Sequence, residues 1–173
     1  MKQVCIQGLG FVGVAMAIAL SNVKTAKGNP KYFVTGVDLP TEQGLKRIDA
    51  VNSGTLPFNT ADQKMVTAFL AAKKAGNLVA TTDESSYELA DVVIVDLPLD
   101  ITLVDRDIQM DMSGFGLAIR TVARKIKPGV LILIETTVSN TGAQKLYECN
   151  GYQKVTERFF YERKNKPKKN KTD

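Results

Sequence analysis

The chain opens with "MKQVCIQGLGFVGVAMAIAL" (residues 1–20), in which one apolar run meets a glycine pattern and a second apolar run follows. Gly8-Leu9-Gly10-Phe11-Val12-Gly13 is a complete G-x-G-x-x-G. The pattern alone is a weak signal, but its setting strengthens it. It follows "KQVCIQ", which reads as a buried strand, and it opens a segment from Gly13 to about Val23 that reads as a helix. Gly8 permits a tight turn, Gly10 lets the backbone approach a pyrophosphate, and Gly13 lets the helix pack close to the sheet. The helix N-terminus offers free N–H groups and a positive dipole end to phosphates. The competing reading is that the glycines serve only a strand turning into a helix.

A dinucleotide site also needs an acid at the end of the second strand. "YFVTGVD" (Tyr32–Asp38) is rich in β-branched and aromatic residues and ends on Asp38. Asp38 lies 25 residues after Gly13, where about 20 is usual, and the connection "SNVKTAKGNPKY" is correspondingly long. A carboxylate there accepts bonds from the adenosine ribose hydroxyls and repels a 2′-phosphate. Leu39 rather than an arginine follows it, which favours NAD over NADP, while Lys46 and Arg47 nearby leave NADP open. Asp38 as a solvated loop acid or a helix cap is the plain alternative.

Strand-like and helix-like segments then alternate. "TEQGLKRIDAVNSG" reads as a helix, and "TADQKMVTAFLAAKKAG" as another with Thr60 as cap and Gly76 as stop. "NLVATT" is a short strand, "SSYELA" a short helix, and "DVVIVDLP" a strand opened by Asp91. "DMSGFGLAIRTVARKIKPG" is an amphipathic helix and "VLILIETTV" a wholly apolar strand. Continuous apolar strands separated by helices predict an α/β, Rossmann-type, doubly wound parallel sheet of five strands, buried on both faces.

The 173 residues are 44% hydrophobic and 24% charged, an ordinary balance for one globular domain. Residues 1–150 hold 15 basic and 15 acidic residues, and residues 151–173 hold 8 and 3, so the whole net charge of +5 lies at the end. "ERKNKPKKNKTD" is expected to be a solvated, flexible tail, and without an aromatic stacking platform nucleic acid is not the expected partner. The chain has no histidine, and its two cysteines, Cys5 and Cys149, lack metal spacing, so no metal site is expected. Two lone thiols and the lack of a signal-peptide pattern favour the cytoplasm. No apolar stretch is long enough for a membrane span.

From "GVDLPTEQGLKRIDAVNSGTLPF" onward the sequence resembles a family. Together with "GLGFVG", "LVATTD", "ADVVIVDLPLD" and "KPGVLILIETTV", the order and spacing are similar to the N-terminal domain of the nucleotide-sugar 6-dehydrogenases, over about residues 1–138. These are the UDP-glucose and UDP-N-acetylmannosamine dehydrogenases. The resemblance implies NAD-dependent oxidation of a sugar alcohol to an acid. It implies that Gly8, Gly10, Phe11, Val12, Gly13 and Asp38 contact NAD. Pro98 matches a family position near the cofactor, and Thr137 matches a threonine near the cofactor and the reacting centre, with Glu135 just before it. Thr137 is equally readable as a buried strand-end hydroxyl.

The chain also departs from the family. Leu97-Pro98 stands where Thr-Pro is common, and "NTAD" follows "NSGTLPF" where a glutamate is usual. The family's catalytic cysteine, lysine and asparagine are expected beyond this chain's length. Cys5 is expected to be a core residue, and Cys149, in "LYECNGY", lacks the family cysteine's glycine-rich setting. Residues 139–163 resemble instead the last helix and strand of GNAT-type N-acetyltransferases, with Tyr147 in the place of a thiolate-protonating tyrosine; no coenzyme A pyrophosphate loop precedes them.

Three parts are therefore expected: an NAD-binding domain (1–138), a helix and an edge strand packed on it (139–163), and a basic tail (164–173). The expected function is the cofactor half of a nucleotide-sugar dehydrogenase, truncated or chimeric, without full catalysis alone, using a UDP-sugar only if a substrate domain completes it. Such a chain is expected to be a monomer or weak dimer. The alternatives are a folded module that binds no cofactor and an acetyltransferase-derived fragment.

Overall fold

The computed structural model describes residues 1–97, 100–104, 107–111, 113–135, 152–154 and 161–163. Five apolar segments form one parallel sheet: β1 (Lys2–Gln7), β2 (Tyr32–Val37), β3 (Leu78–Thr81), β4 (Val92–Asp96) and β7 (Leu131–Glu135). Their spatial order is β3-β2-β1-β4-β7, the doubly wound order expected from the alternation of strands and helices. Register runs Val4 against Val34 on one side and Val4 against Val92 on the other. The order reverses between β1 and β4, and the C-terminal ends of these two strands flank the crevice where such sheets bind ligands.

Helices cover both faces because the inner strands are apolar on both. Val4, Ile6, Val34 and Leu78 point to one face, where they pack with Val14 and Ile18 of α1 (Phe11–Ser21), Ile48 and Val51 of α2 (Glu42–Ser53) and Phe69 and Ala72 of α3 (Gln63–Ala75). Cys5, Val37, Val93 and Val95 point to the other, against Tyr87 of α4 (Ser86–Leu89) and Phe115 and Val122 of α5 (Ser113–Lys125). No helix among the described residues is long and apolar enough to cross a membrane.

Several boundaries differ from expectation. The first helix starts at Phe11 rather than Gly13, because Gly10 takes the N-cap position with extended backbone and the turn is complete by then. The cap of α3 is Asp62, not Thr60. Asp62 accepts from the N–H groups of Lys64 (2.9 Å) and Met65 (3.2 Å), while the Thr60 hydroxyl oxygen accepts from Asp62 N–H, two residues too early. An antiparallel hairpin, β5 (Asp100–Val104) with β6 (Asp107–Asp111), was not anticipated.

The chain divides into two compact units, Met1–Glu135 and Thr136–Asp173. In the second, β8 (Tyr152–Lys154) and β9 (Tyr161–Arg163) pair antiparallel, Tyr152 opposite Arg163. Where one strand was expected over 152–163, the described residues hold two, paired with each other in a two-stranded sheet. Closing a short connection between neighbouring strands costs little chain entropy, which favours this local pairing. The helix expected at 141–150 and the basic tail lie outside the described residues.

Candidate functional site

The glycine loop joins the end of β1 to the start of α1 at the reversal point of the sheet. Gly8 has φ +97°, a region that favours glycine, and its N–H donates to the Val37 carbonyl (2.9 Å). A Cβ on Gly8 would overlap the Asp96 carbonyl oxygen, and one on Gly13 would overlap the Gly8 carbonyl oxygen. Those two glycines are therefore demanded by the packing of strand against helix. Gly10 is not. Its backbone (φ −66°, ψ −172°) suits any residue, and a Cβ there would meet nothing within 4 Å. The space it leaves open lies at the N-terminus of α1, beside the exposed side chains of Phe11 and Val12.

The first intrahelical bond of α1, from Val14 N–H to the Gly10 carbonyl (3.0 Å), leaves the earlier first-turn N–H groups to other partners. An opening free of side chains above such a helix end fits a pyrophosphate. The ring of Phe11 meets that of Phe58, centroids 4.8 Å apart, so the loop after α2 is tied to the rim of the opening.

Asp38 follows β2 and is buried at 8% exposure, which excludes the solvated-acid reading. Its carboxylate accepts from Leu39 N–H (2.8 Å), from Leu9 N–H (3.1 Å) and from the Arg47 guanidinium (3.3 Å). It thus braces the glycine loop from the neighbouring strand end. Arg47 is a residue that sequence reasoning weighed only for NADP; here it partners the acid. Lys46 is occupied differently, by Glu42 at 2.7 Å on the exposed face of α2. Beside the Asp38–Arg47 pair, a cleft of about 430 Å³ lies between α2 and residues 56–59.

Two further carboxylates stand at adjacent strand ends. Asp96 of β4 is opposite Glu135 of β7 in the register. Burial raises the Asp96 carboxyl above its ordinary range, against the pull of a hydrogen bond from Gly13 N–H. Burial also raises Glu135, and the Asp96 charge adds to that rise. Sequence reasoning passed over Asp96; the only signal was an acid ending an otherwise apolar strand.

Cys5 is a core residue as expected. Its thiol donates to the Ser86 carbonyl (3.2 Å), and burial pushes it up to about 11, so it is no nucleophile at neutral pH. Among the described residues no carboxylate or thiol cluster could hold a metal ion. The structure brings together Gly8, Gly10, Phe11, Val12, Gly13 and Asp38; Pro98, Thr137, Tyr147 and Cys149 lie outside the described residues.

The model of the UDP-glucose/GDP-mannose dehydrogenase family, NAD binding domain, matches residues 2–163. The chain belongs to this family. The match runs well past residue 138 and takes in 139–163, so the acetyltransferase-like reading of that segment is not supported. UDP-N-acetyl-D-mannosamine dehydrogenase of Methanococcus aeolicus is 30% identical over 147 residues, 85% of this chain and 30% of that protein. The enzyme of the same name from Methanocaldococcus jannaschii is 29% identical over 85% of this chain and 31% of its own length. The chain thus spans about a third of the relatives it matches.

Two solved structures share the fold of this UDP-glucose/GDP-mannose dehydrogenase family domain. They are NDP-N-acetyl-D-galactosaminuronic acid dehydrogenase from Methanosarcina mazei (TM-score 0.69, 24% identity, 86% of this chain and 31% of that one) and UDP-D-ManNAc dehydrogenase from Pyrococcus horikoshii (TM-score 0.63, 24% identity, the same shares). The cofactor of the family domain is NAD.

Proposed function

We propose that the 173 residues hold NAD for the oxidation of a UDP-sugar, with the pyrophosphate at the N-terminus of α1 and the adenosine ribose at Asp38. One observation carries the placement. The fold demands glycine at positions 8 and 13 but not at 10, so the missing side chain at Gly10 is explained by a ligand rather than by the turn. At Asp38, three donors occupy the carboxylate, and about one of its four acceptor positions is left for a ribose hydroxyl. NAD, when bound, supplies the hydride acceptor. Gly8, Phe11, Val12 and Gly13 shape and floor the cradle, and Pro98 and Thr137 are proposed to border its nicotinamide end.

The relatives of similar sequence are UDP-N-acetyl-D-mannosamine dehydrogenases, which favours an N-acetylated UDP-sugar. Because the chain spans about a third of those relatives, we propose that sugar binding and the catalytic nucleophile come from a further domain. Cys5, buried and protonated, does not supply the nucleophile. A cytoplasmic monomer or weak dimer goes with this reading.

Calorimetric titration of the 173-residue chain with NAD and with NADP tests it, Gly10→Val serving as the blocked control. Wild type is expected to bind NAD in preference to NADP. Gly10→Val is expected to lose NAD binding by more than about tenfold with an unchanged circular dichroism spectrum, since a β-branched side chain fills the cradle. A folded wild type that binds neither cofactor would make the glycine loop architecture only.

A further inference from the structure

We infer that Asp96 is an affinity-setting residue of the dinucleotide site, an internal anion that competes for the first turn of α1 and makes cofactor binding take up a proton. The inference rests on the NAD reading above. Asp96 ends β4, directly beside the glycine loop: its carbonyl oxygen is the atom that a side chain on Gly8 would strike. Its carboxylate oxygen Oδ2 stands 3.2 Å from where a Gly13 Cβ would be, and the carboxylate accepts from Gly13 N–H. Gly13 is the third residue of α1, directly after Phe11 and Val12, whose first-turn N–H groups have no acceptor within the helix. One helix end therefore serves two anions, one built in and one arriving.

Among the described residues, what favours the Asp96 charge is the Gly13 N–H at the helix end, and no cation joins it. α1 carries no acidic residue in its first turn and no basic residue in its last, and the loop beside it is glycine and leucine. The neighbouring strand β7 brings Glu135, another acid. No basic side chain among the described residues is paired with Asp96. Half-burial weakens solvent screening, so like charges in this crevice repel more strongly than on an open surface.

The sign follows from linkage. Burial raises the Asp96 carboxyl before any ligand charge is considered. An arriving pyrophosphate favours the neutral carboxyl further, so binding draws a proton from solution between the free and bound titration points. Affinity is then highest at low pH and falls as pH rises through that window. A neutral carboxyl still accepts from Gly13 N–H, so the helix end keeps its bond while the charge is gone.

Calorimetry of NAD binding in two buffers of different ionisation enthalpy, at about pH 5, 6.5 and 8, counts the protons exchanged. Wild type is expected to take up protons within this range and to bind less tightly at the upper end. Asp96→Asn keeps an acceptor for Gly13; it is expected to bind NAD about tenfold more tightly than wild type near pH 8, with the proton uptake lost. A capping role alone would shift thermal stability without moving the proton count. Equal affinity and equal uptake in both proteins would overturn the inference and leave the NAD reading standing, as would uptake persisting in Asp96→Asn, which would assign it to Glu135. Absence of NAD binding in both folded proteins at every pH would overturn the NAD reading and this inference together.

Discussion

Three glycines in six residues have three different reasons to be glycine, and stability measurements separate them. Gly8→Ala puts a Cβ against the Asp96 carbonyl in a backbone region that L side chains rarely adopt. It is expected to cost at least about 2 kcal/mol. Gly10→Ala meets open space with ordinary φ and ψ, and its cost is expected to stay within about 1 kcal/mol, the range for an N-cap exchange. Urea unfolding of both variants checks the contrast; equal losses would mean that Gly10 serves the turn after all. Asp38 braces Leu9 N–H and Leu39 N–H at once, and the acceptor position it keeps is the one proposed for a ribose. The glycines and Asp38 were legible in the sequence because local chain geometry sets their spacing. Asp96 at Gly13 was not, because 83 residues separate the two and only the β1–β4 pairing makes them neighbours.

At the level of elements, the edge strand β3 is shielded by a side chain. Asn52, near the end of α2, donates to the Ala80 carbonyl (2.8 Å) and accepts from Ala80 N–H (2.9 Å), as a neighbouring strand would. Edge strands with bare backbone invite pairing with other chains, and this pair of bonds closes one such position. Asn52→Ala is expected to destabilise by about 2 kcal/mol, the loss of two bonds to a buried residue. Chemical denaturation should show a lower midpoint at unchanged slope; an unchanged midpoint would mean water replaces Asn52 at no cost. The five parallel strands were readable because buried β-branched runs have few other fates. The β5–β6 hairpin was not read, although "DITLVDRDIQMD" alternates polar with apolar residues over much of its length. That period-two signal is short and broken at Val104–Asp107, so the stretch between "DVVIVDLP" and "DMSGFG" carried no assignment. The two candidate caps of α3 illustrate a different limit: Thr60 and Asp62 both suit the role, and only the position of the first turn decides between them.

For the whole molecule, both hydrophobic clusters lie within residues 1–135 among the described residues. A fragment of residues 1–135 is expected to fold with a single cooperative thermal transition, since both faces of its sheet carry their helices. Failure of that fragment to fold would mean that residues 136–173 supply part of its core. NAD at 100 times its dissociation constant is expected to add about 2.7 kcal/mol to the stability of whichever form binds it. The glycine loop also has a consequence in time. Gly8 N–H is tied to Val37 and Leu9 N–H to Asp38, so the loop proposed to receive the cofactor is braced by the protein's own hydrogen bonds. Little ordering entropy remains to be lost at the moment of contact. Capture is therefore expected to be a one-step encounter whose rate climbs linearly with ligand concentration, and dwell time rather than arrival becomes the quantity that substitutions in the cradle change.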